Sequence, residues 1–309
     1  MRIVFMGTPE SAVPSLRRLV EDGHEIVSVW TQPDKPSGRG HKLHPSSVKE
    51  FALKNNLAIH QPGKIKTQET KDLFASQKAD VAVVVAYGRI LPTEFLQAPM
   101  HGCLNVHFSL LPKYRGAAPV NWAIVNGETE TGVTTMRIVQ ELDAGPIYKQ
   151  QSTPIKARET APELMLRLAE MGAELLSQTI RQLEHLKPNP QIDTEATFAP
   201  ILKREDGIIN WSMDAFAIDR RVRGFQPWPN AYTTVDSKRL IIWRALPAQI
   251  DLSNDAGKVM EARIDKLVIG CGEGTGLRIE ELQPEGSRRM TARDFINGKF
   301  VAEGVMLGS

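Results

Sequence analysis

A chain of 309 residues with 41% hydrophobic and 24% charged side chains has room for one large domain and a small one, with a sizeable core. Its formal net charge of +2 neither demands nor excludes nucleic acid, so any polyanion must be met by local clusters and not by the whole surface. No stretch approaches the ~18 apolar residues of a membrane span.

Two cysteines, Cys103 and Cys271, are too distant in sequence for a disulfide framework or a metal-ligand spacing, which suits a reducing cytoplasm. The opening MRIVFMGTPE has too short an apolar run for a signal peptide, and a soluble cytoplasmic protein is expected.

In chain order, residues 2–6 read as a buried strand, 11–21 as an amphipathic helix and 24–31 (HEIVSVWT) as a second strand. Residues 57–61 are a short third strand, 80–86 (DVAVVVA) a nearly continuous apolar run, and 103–106 another. Apolar runs separated by helix-length segments predict a doubly wound, mostly parallel α/β sheet of Rossmann-like type. Strands at 131–139 and 147–154 follow, then a helix over 161–186 with Thr160 as N-cap and Pro162 and Glu163 in its first turn.

Residues 187–205 are polar, hold three prolines and lack periodicity. The division predicted is therefore a catalytic domain over 1–188, a linker over 189–205 and a second domain over 206–309. In the last, strand-like pieces at 207–211, 231–235, 240–245, 257–261, 266–270 and 276–283 predict a compact β-barrel.

Asn105 and His107, two residues apart, share one face of a strand at the C-terminal end of a parallel-strand candidate, where open α/β sheets place their sites. The same spacing also suits a turn-capping Asn and a half-buried His. Ser109, Leu110, Leu111 and Pro112 form a loop that the proline stiffens, and Arg115-Gly116 turns the chain toward a helix. Asp143, in Gln140-Glu141-Leu142-Asp143-Ala144-Gly145, is either a turn residue or the carboxylate that completes an amide, an imidazole and an acid. That trio suits acyl transfer to an amine with no covalent enzyme intermediate: donors stabilise the oxyanion and the acid moves a proton. Gly-x-Ser-x-Gly is absent, no cluster has metal-ligand spacing, and a lone Gly7 in Gly7-Thr8-Pro9-Glu10 reads as a structural turn more than a nucleotide loop.

NVHFSLLPKYRGAAPVNWAI (105–124) followed by LDAG (142–145) resembles the signature of the folate-dependent formyltransferases. The resemblance implies 10-formyltetrahydrofolate as formyl donor, with no metal, and a catalytic role for Asn105, His107 and Asp143. It implies that Ser109, Leu110, Leu111 and Pro112 line the folate site. AYGRILP (86–92) is similar to the family's second folate segment and adds Gly88, Arg89, Ile90 and Leu91. Phe108 departs from the family, where a small residue is commoner.

Three subfamilies share this signature, and the formyl acceptor turns on the loop TQPDKPSGRGHKL (31–43), whose Lys35, Arg39 and Lys42 face only Asp34. By composition it is a solvated surface loop or a segment that follows a phosphate backbone. It resembles the insertion with which methionyl-tRNA formyltransferases enter the acceptor end of initiator tRNA. That implies initiator methionyl-tRNA as partner, a monomer, and an OB-like C-terminal barrel holding the tRNA, with Arg220, Arg221 and Arg223 of RRVRGFQPWP among its contacts. By its own residues that segment reads as a helix end and a Pro-fixed turn, with Trp228 in the core. Residues 206–309 carry equal numbers of acidic and basic side chains, so binding there would rely on one face. UDP-aminoarabinose formyltransferases match PKYRG and NGETETGV equally but lack the basic loop. A non-catalytic RNA-binding module is the other alternative.

Overall fold

A computed structural model describes residues 1–37, 42–249 and 255–308. The chain forms two compact units, one of Met1–Gly116, Glu130–Pro154 and Met165–Phe198, the other of Ala117–Thr129, Ile155–Leu164 and Ala199–Ser309.

The first strands in chain order are β1 (Arg2–Gly7), β2 (Glu25–Trp30), a short hairpin of β3 (Lys35–Ser37) and β4 (Lys42–His44), and β5 (Ile59–His60). They are followed by β6 (Val81–Val85), β7 (Cys103–His107), β8 (Arg115–Gly116), β9 (Glu130–Arg137) and β10 (Ile147–Pro154). Seven of these build the sheet of the first unit in the order β10-β9-β7-β6-β1-β2-β5. Pairing is parallel from β7 through β5, and β9 alone runs against the rest, pairing antiparallel with β7 on one side and β10 on the other. The parallel strands are covered on both faces, which is why β1 and β6 read as unbroken apolar runs: Ile3, Val4, Phe5, Val81, Ala82, Val83 and Val85 have no exposed surface.

Helices α1 (Val13–Glu21), α2 (Ser47–Lys54), α3 (Gln68–Ser76) and α4 (Thr93–Gln97) connect the parallel strands. Ser46 and Thr67 cap α2 and α3 by accepting the backbone N–H groups of Lys49 and Thr70. Further along lie α5 (Pro119–Val125) and α6 (Ala161–Gln182). Thr160 opens α6, its backbone N–H and hydroxyl both donating to the Glu163 carboxylate at 2.9 and 2.8 Å. The single glycine of α6 lets it seat on β7, because a Cβ on Gly172 would lie 2.8 Å from Val106 Cγ1.

The second unit holds β11's last residue (β11, Phe198–Ala199), α7 (Ala215–Gly224), α8 (Ala292–Asn297) and an antiparallel sheet. That sheet comprises β12 (Ala231–Val235), β13 (Lys238–Gln249), β14 (Val259–Arg263), β15 (Lys266–Gly270), β16 (Thr275–Pro284) and β17 (Met290–Thr291). Its order is β12-β13-β16-β15-β14, with β17 added to β16; among the described residues no ladder joins β12 to β14, so the sheet is not closed into the barrel expected. Trp211, Ile218, Val222, Leu240, Ile242, Leu277, Ile279 and Phe295 form the core beneath it.

Two expectations fail here. Residues 207–211 are not a strand: Gly207 ends a short 3-10 turn, and only Ile208 makes an isolated bridge, to Tyr232. A Gly207 Cβ would lie 2.2 Å from the Asn230 carbonyl oxygen, so this close approach admits only glycine. Trp228 is not in the core but 53% exposed. Trp211 takes that place, 6% exposed and donating its indole N–H to Thr233 Oγ1 at 3.1 Å.

Candidate active site

β7 is flanked by parallel β6 and antiparallel β9, with Asn105 opposite Val84 and Met136 and His107 opposite Thr134. Both side chains leave the same side of the pleat, at the strand's C-terminal end. His107 is buried, 6% exposed, and its Nε2 lies 2.9 Å from the Tyr114 carbonyl oxygen. A carbonyl can only accept, so Nε2 carries a proton and Nδ1 is the ring nitrogen left to face the site. That Nδ1 stands 3.7 Å from Asp143 Oδ2. The Asn105 side-chain amide makes no hydrogen bond to the described residues, and the residue is half-buried.

Asp143 lies between β9 and β10 with a left-handed backbone, φ +49. An aspartate tolerates that conformation better than most residues, and here it turns the carboxylate toward the 114–116 segment. The Gly116 N–H donates to Asp143 Oδ2 at 2.8 Å. Gly145 is required for space: a Cβ would sit 1.7 Å from the Arg137 carbonyl oxygen. The amide, imidazole and carboxylate singled out from sequence are thus gathered at one strand end, with Gly116 adding a backbone donor that no side-chain pattern announces.

The loop after β7 is held by Thr134, which sequence reasoning missed because it looks like any strand residue. Its hydroxyl donates to the Ser109 carbonyl at 2.7 Å and accepts the Leu111 N–H at 3.2 Å. Gln150 reaches the same place, its Nε2 2.8 Å from the Leu111 carbonyl. Ser109 is fully buried, its hydroxyl spent on the Lys113 carbonyl at 2.6 Å; Leu111 is buried, whereas Leu110 and Pro112 are half-buried.

Residues 86–92 follow β6. Gly88 has φ +78, and Gln32 Nε2 donates to the Tyr87 carbonyl at 2.9 Å. Arg89 reaches the Pro62 carbonyl at 3.0 Å, Ile90 is 74% exposed and Leu91 is buried. A cavity of about 430 Å³ is lined by Lys64, Ile65, Lys66, Arg89 and Ile90. Thr8 Oγ1 donates to the Tyr87 carbonyl at 3.3 Å, so the Gly7-Thr8 turn supports this segment.

Of the basic loop, Lys35 is exposed in the β3–β4 hairpin, while Arg39 and the side chain of Lys42 fall outside the described residues. Asp34, the loop's one acid, is occupied by Lys49 Nζ at 2.6 Å and Gln61 Nε2 at 2.7 Å. The Gln61 hydrogen bond first, and Lys49 with it, hold its carboxyl below the usual range. Asp34 therefore does not neutralise Lys35.

In the second unit, Arg223 is 15% exposed and bonded to Asp219 at 2.9 Å. Burial pushes the Asp219 carboxyl up against the pull of Arg223. Arg221 lies 5.5 Å from the Phe225 ring centroid, and Arg220 Nε is buried without a hydrogen-bond partner among the described residues. No group of three or more His, Cys, Asp or Glu that could hold a metal occurs among the described residues.

A family profile described as formyl transferase matches residues 1–180, and one described as formyl transferase, C-terminal domain, matches 201–299. A methionyl-tRNA formyltransferase of Caldanaerobacter subterraneus subsp. tengcongensis is 48% identical over 314 residues, covering 99% of this chain and 100% of that one. Another, from Alkaliphilus oremlandii, is 44% identical over 310 residues and covers both chains in full. This chain belongs to the methionyl-tRNA formyltransferase family.

Among solved structures, this chain superposes on WlaRD, a sugar 3N-formyl transferase crystallised in the presence of dTDP and 5-N-formyl-THF. The TM-score is 0.67 at 22% identity, covering 93% of this chain and 99% of WlaRD. HypX from Aquifex aeolicus in complex with tetrahydrofolic acid gives 0.64 at 21%, covering 96% of this chain and 47% of HypX. At these identities the likeness establishes a shared fold. As a member of its family the chain is an enzyme, a formyltransferase.

Proposed function

We propose that this enzyme moves the formyl group of 10-formyltetrahydrofolate to the α-amino group of methionine esterified to initiator tRNA. The full-length identity to methionyl-tRNA formyltransferases supports the acceptor, and the His107–Asp143–Gly116 cluster supports the chemistry.

The amine lone pair attacks the formyl carbon, the C=O π electrons move onto oxygen, and the amine nitrogen becomes cationic. Asn105, whose amide is unspent, donates to the oxyanion. With Nε2 committed to Tyr114, His107 offers a second donor only through Nδ1–H, and so acts in its doubly protonated form, its charge balanced by Asp143 3.7 Å away. Asp143 accepts the proton the amine must shed and delivers it to the folate nitrogen as the C–N bond breaks. The loops 109–112 and 88–91 line the folate site. Lys35, Arg39 and Lys42 contact the tRNA acceptor end, with Arg220, Arg221 and Arg223 contributing from an OB-like second domain. A cytoplasmic monomer, with domains at 1–188 and 206–309 joined through 189–205, completes the reading.

A formylation assay with charged initiator tRNA tests it. Wild type should release tetrahydrofolate, and His107→Ala and Asp143→Ala should not keep pace. No tetrahydrofolate from wild type, or a preference for elongator over initiator methionyl-tRNA, refutes the reading.

A further inference from the structure

Residues 189–197 have the composition of a connector, yet they are laced into the catalytic unit. Asn189 exchanges two backbone hydrogen bonds with Ile147, at 2.7 and 2.8 Å. Gln191 is half-buried, and its one amide nitrogen donates to two carbonyls of the same loop, those of Asp143 and Gly145, both at 2.7 Å. Its amide oxygen accepts from Arg115 Nε at 3.0 Å. Arg115 is buried, 6% exposed, and its Nη2 also reaches Asp193 at 2.8 Å.

The same segment holds the other half of the site. Thr197 Oγ1 accepts the Tyr114 N–H at 2.9 Å, and the Thr197 carbonyl accepts the Arg115 N–H at 2.8 Å. Tyr114 and Gly116 both have positive φ, +61 and +124. Residues in such backbone conformations stay put only where their surroundings over-determine them. Tyr114 supplies the carbonyl that holds His107 Nε2, and Gly116 the N–H that holds Asp143.

We propose that Gln191 is a positioning residue for formyl transfer: bridging Arg115 to the 143–145 loop, it sets the Asp143 carboxylate against the His107 imidazole. It touches neither reacting atom. Both of its N–H groups and its carbonyl are used, and its bonds to Asp143, Gly145 and Arg115 end on segments that carry or hold the acid and the imidazole, with a longer contact of 3.9 Å to the Met136 sulfur. A side chain that only filled space would need no such donor–acceptor arrangement. This rests on Asp143 being the proton-handling group.

The test is a double-mutant cycle on the full-length enzyme with charged initiator tRNA and formyl-folate. Gln191→Ala should lower kcat by about 10- to 100-fold, the effect of displacing a catalytic group by roughly an ångström, with both KM values close to wild type. In an Asp143→Ala background, Gln191→Ala should then have almost no further effect, because there is no carboxylate left to set. Gln191→Glu, which keeps an acceptor for Arg115 but loses both donors, should show the same kcat loss while its melting temperature stays near wild type. Equal fractional losses in both backgrounds, or wild-type kcat in Gln191→Glu, would overturn the assignment of Gln191 alone. Wild-type activity in the single Asp143→Ala variant would instead remove the reading on which it rests.

Discussion

Between Asn105 and Gly116 the hydrogen-bonding groups of the chain are committed many times over: Thr134 and Gln150 hold residues 109–111, Thr197 holds 114 and 115, and Asp143 takes the Gly116 N–H. Among the described residues of 35–44, Lys35–Ser37 pairs antiparallel with Lys42–His44, and the neighbouring Asp34 is bonded to Lys49. The difference matches two tasks. Oxyanion stabilisation and proton transfer, the roles proposed for Asn105, His107 and Asp143, fail when groups drift by fractions of an ångström, and a strand end with redundant support suits them. Phosphates can be met by a cation on a long stem from many geometries, so the tRNA role proposed for Lys35, Arg39 and Lys42 asks for charge more than for exact placement.

The sharpest break in that comparison is at the site itself. Asp143→Ala or His107→Ala should lower kcat by about 10²- to 10⁴-fold with little change in the KM for tRNA, measured by steady-state formylation. A rise in KM at unchanged kcat would move these residues from chemistry to binding. Next in size, Gly145→Ala forces a Cβ to 1.7 Å from the Arg137 carbonyl. The 143–145 loop must then shift, so kcat should fall by about 10-fold or more, and overpacking should cost about 1–3 kcal/mol in urea unfolding. A fully active, equally stable variant would show the loop to be adaptable.

On the other side of the comparison, Lys35→Ala should raise the KM for tRNA only a few-fold, leave folate binding alone and reduce the salt dependence of tRNA binding by ~0.7–0.9 in log–log slope. Arg39→Ala and Lys42→Ala should do the same. Unchanged tRNA kinetics in all three would detach the loop from RNA.

The smallest effect is one of pH. His60, 5.0 Å from the Trp30 ring, is held below the ordinary histidine range by burial. The unfolded chain, with its normal value near 6.5, takes up the proton first as pH falls. The contribution of His60 is therefore complete above about that pH and is lost as pH drops through and below it. Tm measured down a pH series should decline more gently in His60→Gln; an identical decline would place the acid sensitivity elsewhere, for instance in His24, lowered by burial and by the N-terminal ammonium.

Strands buried on both faces leave a mark that no neighbour can erase, so β1, β6 and β7 are readable as apolar runs from the chain alone. Their order is not, because an apolar run says that it is covered without saying by what. Tryptophans illustrate the limit: Trp211 and Trp228 are alike as letters, and only the packing decides that one lies under the sheet and the other in solvent. Among the site residues, Asn105, His107 and Asp143 stand in recognisable surroundings. Gln191 stands in a polar, proline-containing stretch with no local sign of its bonds.

Residue order alone thus determined which strands are buried, the family, and the three side chains suited to acyl transfer, since burial and chemical identity are properties a residue carries with it. Folding alone decided which imidazole nitrogen is bonded to Tyr114, the left-handed turn at Asp143, the donor at Gly116 and the clasp of Gln191. Those depend on partners from 7 to 76 positions away along the chain, brought within a hydrogen bond only by packing.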